Sequence, residues 1–500
     1  MENTATLRHA DSLPGPRGLP LLGNALQLDG PRLHQQLEAW ATRYGAFFKF
    51  SIGARKIVVI SDHQVVAQVL RDRPDGFRRT SRLEEIWLEL GLPPGVFGAN
   101  GESWRQQRRM VMAAFAPEHV RQYYPALAQV ARRLASRWAL AAQDGSAIEL
   151  QPDLMRFTVD TIAGLAFGAD VNTLQSDGDV IQQHLDKIFP ALFNRIMKPV
   201  ATWRYVRSAG DRQLEQAVAE VKAAVDGFVL QARARMAADP QRRERPHNLL
   251  EAMIVAADEP GSGIDDQLVA GNVLTMLLAG EDTTANTLAW MIHLLWQHPA
   301  ALARACDEVR EVCGDARQPT LEQLARLDYV EACAHETMRL KPVAPLLPLQ
   351  ALRDVRLGDV LVPAGRIVLS LMRRDSIKEE HLPRAAAFEP ERWLAVAGNA
   401  SPALQAASAK RVSMPFGAGP RICPGRYLAL LEMKVALATL LGRFEITDVR
   451  THDGQPPREN LAFTMAPVGL LMRLRQRDGS EGTTWQVQGP ARPAEAAAAP

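Results

Sequence analysis

Cysteine is scarce. The chain has four in 500 residues, Cys306, Cys313, Cys333 and Cys423, with no C-x-x-C pair and far below the density of a disulfide framework, which fits a reducing compartment. Long apolar runs are also missing: no uncharged apolar stretch reaches the roughly 18 residues that a membrane span needs. Arg8, His9 and Asp11 leave no room for a signal-peptide apolar region. Nor is there an excess of one charge. Lys and Arg number 58 against 56 Asp and Glu, and a formal net charge of +2 is too small to drive binding to nucleic acid by counterion release. These absences point to a soluble, cytoplasmic protein with no nucleic-acid partner and no membrane anchor.

Hydrophobic residues make up 47% of the chain and charged residues 23%, the balance of a globular protein with a large core. Residues 13–24 are rich in proline and glycine and read as an extended, turn-rich entry. Phe47, Phe48, Phe50 and Ile57 to Ile60 read as short strands. From about 102 to 345 one amphipathic helical pattern follows another, and residues 352–371 alternate around glycines and a proline as hairpins do. The crowded Arg233, Arg235, Arg242, Arg243 and Arg245 read as a solvated loop. The expected architecture is mainly α (α+β), with one domain over 13–475, a flexible lead over 1–12 and a disordered tail over 476–500.

One cysteine stands apart. Phe416-Gly417-Ala418-Gly419-Pro420-Arg421-Ile422-Cys423-Pro424-Gly425 forms a tight Gly/Pro loop in front of a helical pattern. Glycines there let backbone N–H groups turn onto the sulfur, and the helix N-terminus adds positive potential, both of which favour thiolate. The other three cysteines sit in ordinary helical patterns and read as inert core residues. Upstream, Ala279-Gly280-Glu281-Asp282-Thr283-Thr284 lies in a long apolar helix. Ala279 and Thr283 share a face, and Gly280 permits close approach to the backbone. A threonine bonded to the preceding turn can open the helical ladder, and an acid beside it can relay protons. Glu336 and Arg339 meet on one helix face, as do Trp104 and Arg108 on another.

The loop resembles the haem-binding loop F-x-x-G-x-R-x-C-x-G of the cytochrome P-450 family. In the same order along the chain, Trp104/Arg108 resemble the family's W-x-x-x-R, residues 279–284 its A-G-x-D-T-T segment, Glu336/Arg339 its E-x-x-R pair, and Phe388 to Arg392 its F-x-P-E-R. The resemblance implies a helical prism with a long central helix and small sheets, binding haem b through the Cys423 thiolate. It implies Arg421, Trp104, Arg108, Phe416, Gly417, Gly425, Ala279 and Gly280 as cofactor-binding residues. Thr283 and Asp282 are the catalytic pair, and Glu336, Arg339 and Arg392 form a structural triad. Gln350 stands where many members carry an arginine for a haem propionate, with Arg353 or His381 as substitutes, although His381 reads equally as a surface histidine.

The implied activity is hydroxylation or epoxidation of an apolar small molecule with dioxygen, in a monomer. Its electrons come from a separate ferredoxin or flavodoxin with its reductase, docked on Arg105, Arg109, Arg426 and Lys434. Ile86, Trp87, Phe97, Phe193, Val343, Leu346 and Met465 are the expected pocket residues. Oxidative coupling or desaturation without oxygen insertion, and a non-catalytic haem sensor, are the alternatives.

Overall fold

The computed structural model describes residues 7–168, 170–176, 180–314, 318–394 and 408–477; residues 478–500 of the expected tail lie outside them. Helices dominate, as the periodicity implied, and among the described residues four small sheets complete the fold. Among the described residues no helix is long and apolar enough to cross a membrane.

Eight helices position the site: α1 (His63–Arg71), α2 (Ser81–Glu89), α3 (Gly101–Ala114), α4 (Leu150–Ile162), α5 (Val180–Met197), α6 (Asp266–Gln297), α7 (Asp328–Leu340) and α8 (Arg426–Arg443). Helix α6 is the axis. It runs for 32 residues, about 48 Å at ~1.5 Å per residue. Asp265 caps its first turn by accepting from the Leu268 amide. Most of its circumference is apolar and buried, which only a central helix tolerates. No break interrupts it, so Thr283 does not open the ladder as its position suggested.

The largest sheet has strands β1 (Phe47–Ile52), β2 (Arg55–Ile60), β3 (Phe77–Arg78), β4 (Leu346–Ala351) and β5 (Ile367–Leu371), in the order β1-β2-β5-β4-β3. Gly53, at φ +59°, makes the tight β1–β2 turn. Phe48, Phe50 and Ile52 alternate into the core on one face of β1. Later strands β6 (Glu459–Ala462) and β7 (Thr464–Pro467) form a hairpin beside α6.

Two expectations are corrected. Residues Arg8–His9, assigned to a flexible lead, form a strand parallel to Val360–Leu361; Arg8 pairs with Asp359 at 2.8 Å, and Ala10 is fully buried. The arginine-rich stretch is not a solvated loop. Arg233 and Arg235 lie in the helix Ala209–Ala238; Arg233 binds Asp258 and Asp266, Arg242 binds Glu251 at 2.7 Å, and Arg243 binds Asp258 at 2.8 Å.

A buried ion cluster ties α7 to the segment before the cysteine loop. Glu336 accepts from Arg339 at 2.7 and 2.8 Å, from Arg392 at 2.9 Å, from the Trp393 indole at 2.8 Å and from the Glu389 amide at 2.9 Å. Arg339 spends its remaining donors on the Ser376, Ala385 and Ala387 carbonyls. Burial alone would push the Glu336 carboxyl up, but the Arg339 hydrogen bond and the two guanidinium charges hold it below its ordinary value. Glu336→Ala leaves the buried Arg339 guanidinium without its counter-ion and Arg392 with Glu389 alone, and is expected to cost about 3–5 kcal/mol, read as a lowered urea midpoint.

Candidate active site

The cysteine loop is shaped by backbone constraints. Gly417 and Gly419 sit at φ +75° and +70°, and a Cβ on Gly419 would lie 2.7 Å from Arg71 Cα and 2.8 Å from the Leu70 carbonyl oxygen, so only glycine fits against the end of α1. The Cys423 amide donates to the Phe416 carbonyl at 2.9 Å and closes the loop. Gly425 caps α8, and a side chain there would enter the space between Phe115 and the Cys423 sulfur. Burial nevertheless pushes the Cys423 thiol up; the Gly425 amide and the Arg108 and Arg426 charges oppose that shift without reversing it. The loop orients the sulfur, and its amide and the two cations favour thiolate against the cost of burial.

On α6, Ala279 and Thr283 face an internal cavity of about 260 Å³, and the Thr283 hydroxyl donates to the Ala279 carbonyl at 2.7 Å. Gly280 does not share this face. Its close neighbour is Ile162 of α4, whose Cγ1 would stand 3.2 Å from an added Cβ, so this glycine serves helix packing rather than a cofactor. Asp282 accepts from Asn286 at 3.1 Å and from the hydroxyl of Thr464, a cavity-wall residue that motif reading missed. Burial raises the Asp282 carboxyl, partly offset by those two bonds. Asn286 in turn accepts from Gln151, so a polar chain leads from α4 through Asp282 to the cavity.

The cations near the loop carry the strongest electrostatic signal. Arg73, Arg79, Arg108 and Arg421 gather here, and among the described residues no carboxylate lies within ion-pair distance of Arg73, Arg79 or Arg421. Burial pushes Arg73 down to about 10 and Arg421 to about 9, the latter also through repulsion from Arg73 and Arg108. Arg79 falls well below its ordinary value from burial and from Arg73 and Arg421. The Nε atoms of Arg73 and Arg421 are buried and unpartnered. Arg421 lies 4.7 Å over the Trp104 ring, while Arg108 donates to the Ile422 carbonyl at 2.8 Å. Trp104 and Arg108 thus approach the cysteine loop together.

Uncompensated buried guanidiniums call for an anion. Beside a cysteine loop and an apolar cavity, they suit the two carboxylates of haem b, whose iron Cys423 would hold. Arg73 and Arg79 are the cations sequence reading did not find. The substitutes proposed for Gln350 are engaged elsewhere: Arg353 forks onto Asp72 at 2.8 and 2.9 Å, and His381 packs on His63 beside Asp375. Gln350 itself bonds the Ser81 amide and the Gly365 carbonyl.

Of the expected pocket residues, Trp87, Phe97, Phe193 and Leu346 line the cavity. Ile86 does not. Leu83 and Trp87, four apart on α2, take the cavity face and turn Ile86 fully into the core. Met465 is displaced by strand alternation: Thr464 faces the cavity, while Met465 is buried and its amide donates to the Val343 carbonyl at 2.8 Å. Val343 yields the wall to Ala344. At the hairpin tip Phe463 is held at φ +87°, strained for a bulky residue, and stacks on Phe189 with centroids 4.7 Å apart. The expected basic docking face also shrinks. Lys434 is buried against Glu331, and Arg105 is paired with Asp75 and Glu102, which leaves Arg109 and Arg426.

A family model described as Cytochrome P450 matches residues 13–473. Similar curated proteins include a cyclooctat-9-en-7-ol 5-monooxygenase of Streptomyces melanosporofaciens, 29% identical over 87% of this chain and 89% of the relative. A cytokinin hydroxylase of Arabidopsis thaliana is 26% identical over 88% of this chain and 84% of its own length. A self-sufficient cytochrome P450 monooxygenase of Aspergillus niger is 28% identical over 95% of this chain, which spans 44% of that longer protein. Arg79→Leu is expected to speed haem loss to apomyoglobin roughly tenfold or more, the scale of one charged hydrogen bond, without moving the Soret band.

Proposed function

The chain belongs to the cytochrome P450 family of haem-thiolate monooxygenases, and we propose that it hydroxylates or epoxidises an apolar small molecule, with electrons from a separate ferredoxin or flavodoxin. The observation that carries this reading is the cluster of buried, unpaired guanidiniums running from the Cys423 loop to a cavity whose opposite lining is apolar and bears Thr283.

Bound haem b supplies oxygen activation, with electron donation from a thiolate ligand favouring O–O cleavage. The chain's own groups manage position, water and protons. Cys423 would hold the iron, and Arg73, Arg79, Arg108 and Arg421 with Trp104 would hold the propionates. The Thr283 hydroxyl is parked on the Ala279 carbonyl at the cavity wall, and its oxygen remains able to accept a hydrogen bond. Asp282, with its carboxyl raised by burial, holds a proton more readily than an exposed aspartate. Thr464 links that carboxyl to the cavity wall. Leu274, Leu278, Phe97 and Phe463 keep bulk water out, which strengthens every polar interaction inside.

The reading is tested first by the carbon monoxide difference spectrum of the reduced protein. The red-shifted Soret band of thiolate ligation is expected, and its absence from haem-replete protein removes the assignment. Thr283→Ala is expected to keep that band while diverting most reducing equivalents to hydrogen peroxide, measured as peroxide formed per reductant consumed. For the electron donor, exposed Arg109 on α3 and half-buried Arg426, whose charge acts on Cys423, favour an acidic partner. Reversing both charges is expected to slow reduction several-fold at low salt, with the difference fading as salt screens it.

A further inference from the structure

The cavity wall is apolar except at a few places, and two of its cations belong to neither the cysteine loop nor the proton chain. Arg55 opens β2, and Arg82 lies in the first turn of α2; both line the cavity where these elements meet the C-terminal end of α5. Neighbouring Lys198 and Pro199 are exposed, so this end lies toward solvent.

Neither guanidinium has a carboxylate within ion-pair distance among the described residues. Arg55 is held by the Ile196 and Lys198 carbonyls, each at 2.8 Å. Arg82 lies 4.6 Å over the Trp203 ring, and its Nε is buried and unpartnered. The nearest acids are spent elsewhere: Glu85 on Arg204 at 2.8 Å, and Glu89 on Arg204 and on the Trp203 indole at 2.8 Å. Burial first, and then repulsion from Arg82, pushes Arg55 down to about 10. Two like charges are therefore fixed side by side by carbonyls and an aromatic face, with donor capacity left over.

We propose that Arg55 and Arg82 bind the carboxylate of a substrate whose remainder is an apolar chain, so that the enzyme acts on long-chain monocarboxylic acids. This rests on the monooxygenase reading and deepens it. Guanidiniums match carboxylates in a planar, forked geometry that a neutral ester or alcohol cannot exploit as fully. The interior offers no second charged anchor for the tail, because Arg79 is committed to the cluster at the cysteine loop and the walls are made by Phe50, Ile57, Phe193, Leu274 and Leu278. Holding the carboxylate between β2 and α2 leaves the hydrocarbon to reach Thr283 on α6.

The test compares dodecanoic acid, methyl dodecanoate and dodecan-1-ol on the haem-loaded protein, with dissociation constants read by calorimetry and by the optical shift of the haem. The acid is expected to bind at least tenfold more tightly than the ester. In Arg55→Gln/Arg82→Gln the acid should fall to the ester's affinity while the ester is unchanged. Equal affinities in the native protein, no binding of the acid, or a preference that survives in the double variant each overturn the anchor. The carbon monoxide band separates the two levels. A normal band without acid preference overturns only this inference, whereas an absent band overturns the monooxygenase reading, and the calorimetric comparison still decides whether the arginine pair takes a carboxylate.

Discussion

Glu336 is the interaction on which the site's position depends. One buried carboxylate gathers Arg339 from its own helix, Arg392 and Trp393 from a segment more than 50 residues downstream, and a backbone amide between them. An ion this deep is tolerable only when every lone pair is used, and here the partners saturate it. The payoff is geometric. Helix α7 and the turn Pro390–Trp393 are locked into one rigid support.

The contrast between satisfied and unsatisfied charge separates scaffold from site. Arg339 has five hydrogen bonds and no function beyond holding its neighbours. Arg73, Arg79 and Arg421 are similarly removed from water, yet have no acid of their own. A fold that buries cations without anions forfeits stability, and a bound anion returns it. The same contrast sets Arg55 and Arg82 apart from Arg204, in the turn Thr202–Arg204, which holds two glutamates of α2.

Much of this was legible in sequence because its determinants are local. The glycines that shape the Cys423 loop, the helical spacing of Ala279 and Thr283, and the pairing of Glu336 with Arg339 are each set within a few residues. What stayed hidden depends on distance. Arg73 and Arg79 belong to no motif and meet Arg421 only because α1 packs under the cysteine loop, about 340 residues away in sequence. Thr464 and Met465 differ only in which side of a strand they occupy, a parity fixed by the register of β6 with β7. Lys434 looked like surface charge because nothing in a helical pattern announces that Glu331, from another helix, will cover it. Gly280 carried the right residue type for the wrong neighbour, since the close approach comes from Ile162.

The chemistry of Cys423 follows from two opposed demands on one loop. Directing the sulfur into the interior requires burial, and burial favours the neutral thiol. The backbone donor at Gly425 and the cations Arg108 and Arg426 narrow that penalty without removing it. The loop thus fixes where the sulfur points, and an iron held there would add a positive charge far larger than that of a helix end, favouring thiolate. Such a division suits a thiolate ligand. Full stabilisation by hydrogen bonds would draw electron density back onto the loop, whereas a sparsely bonded sulfur keeps that density for the metal.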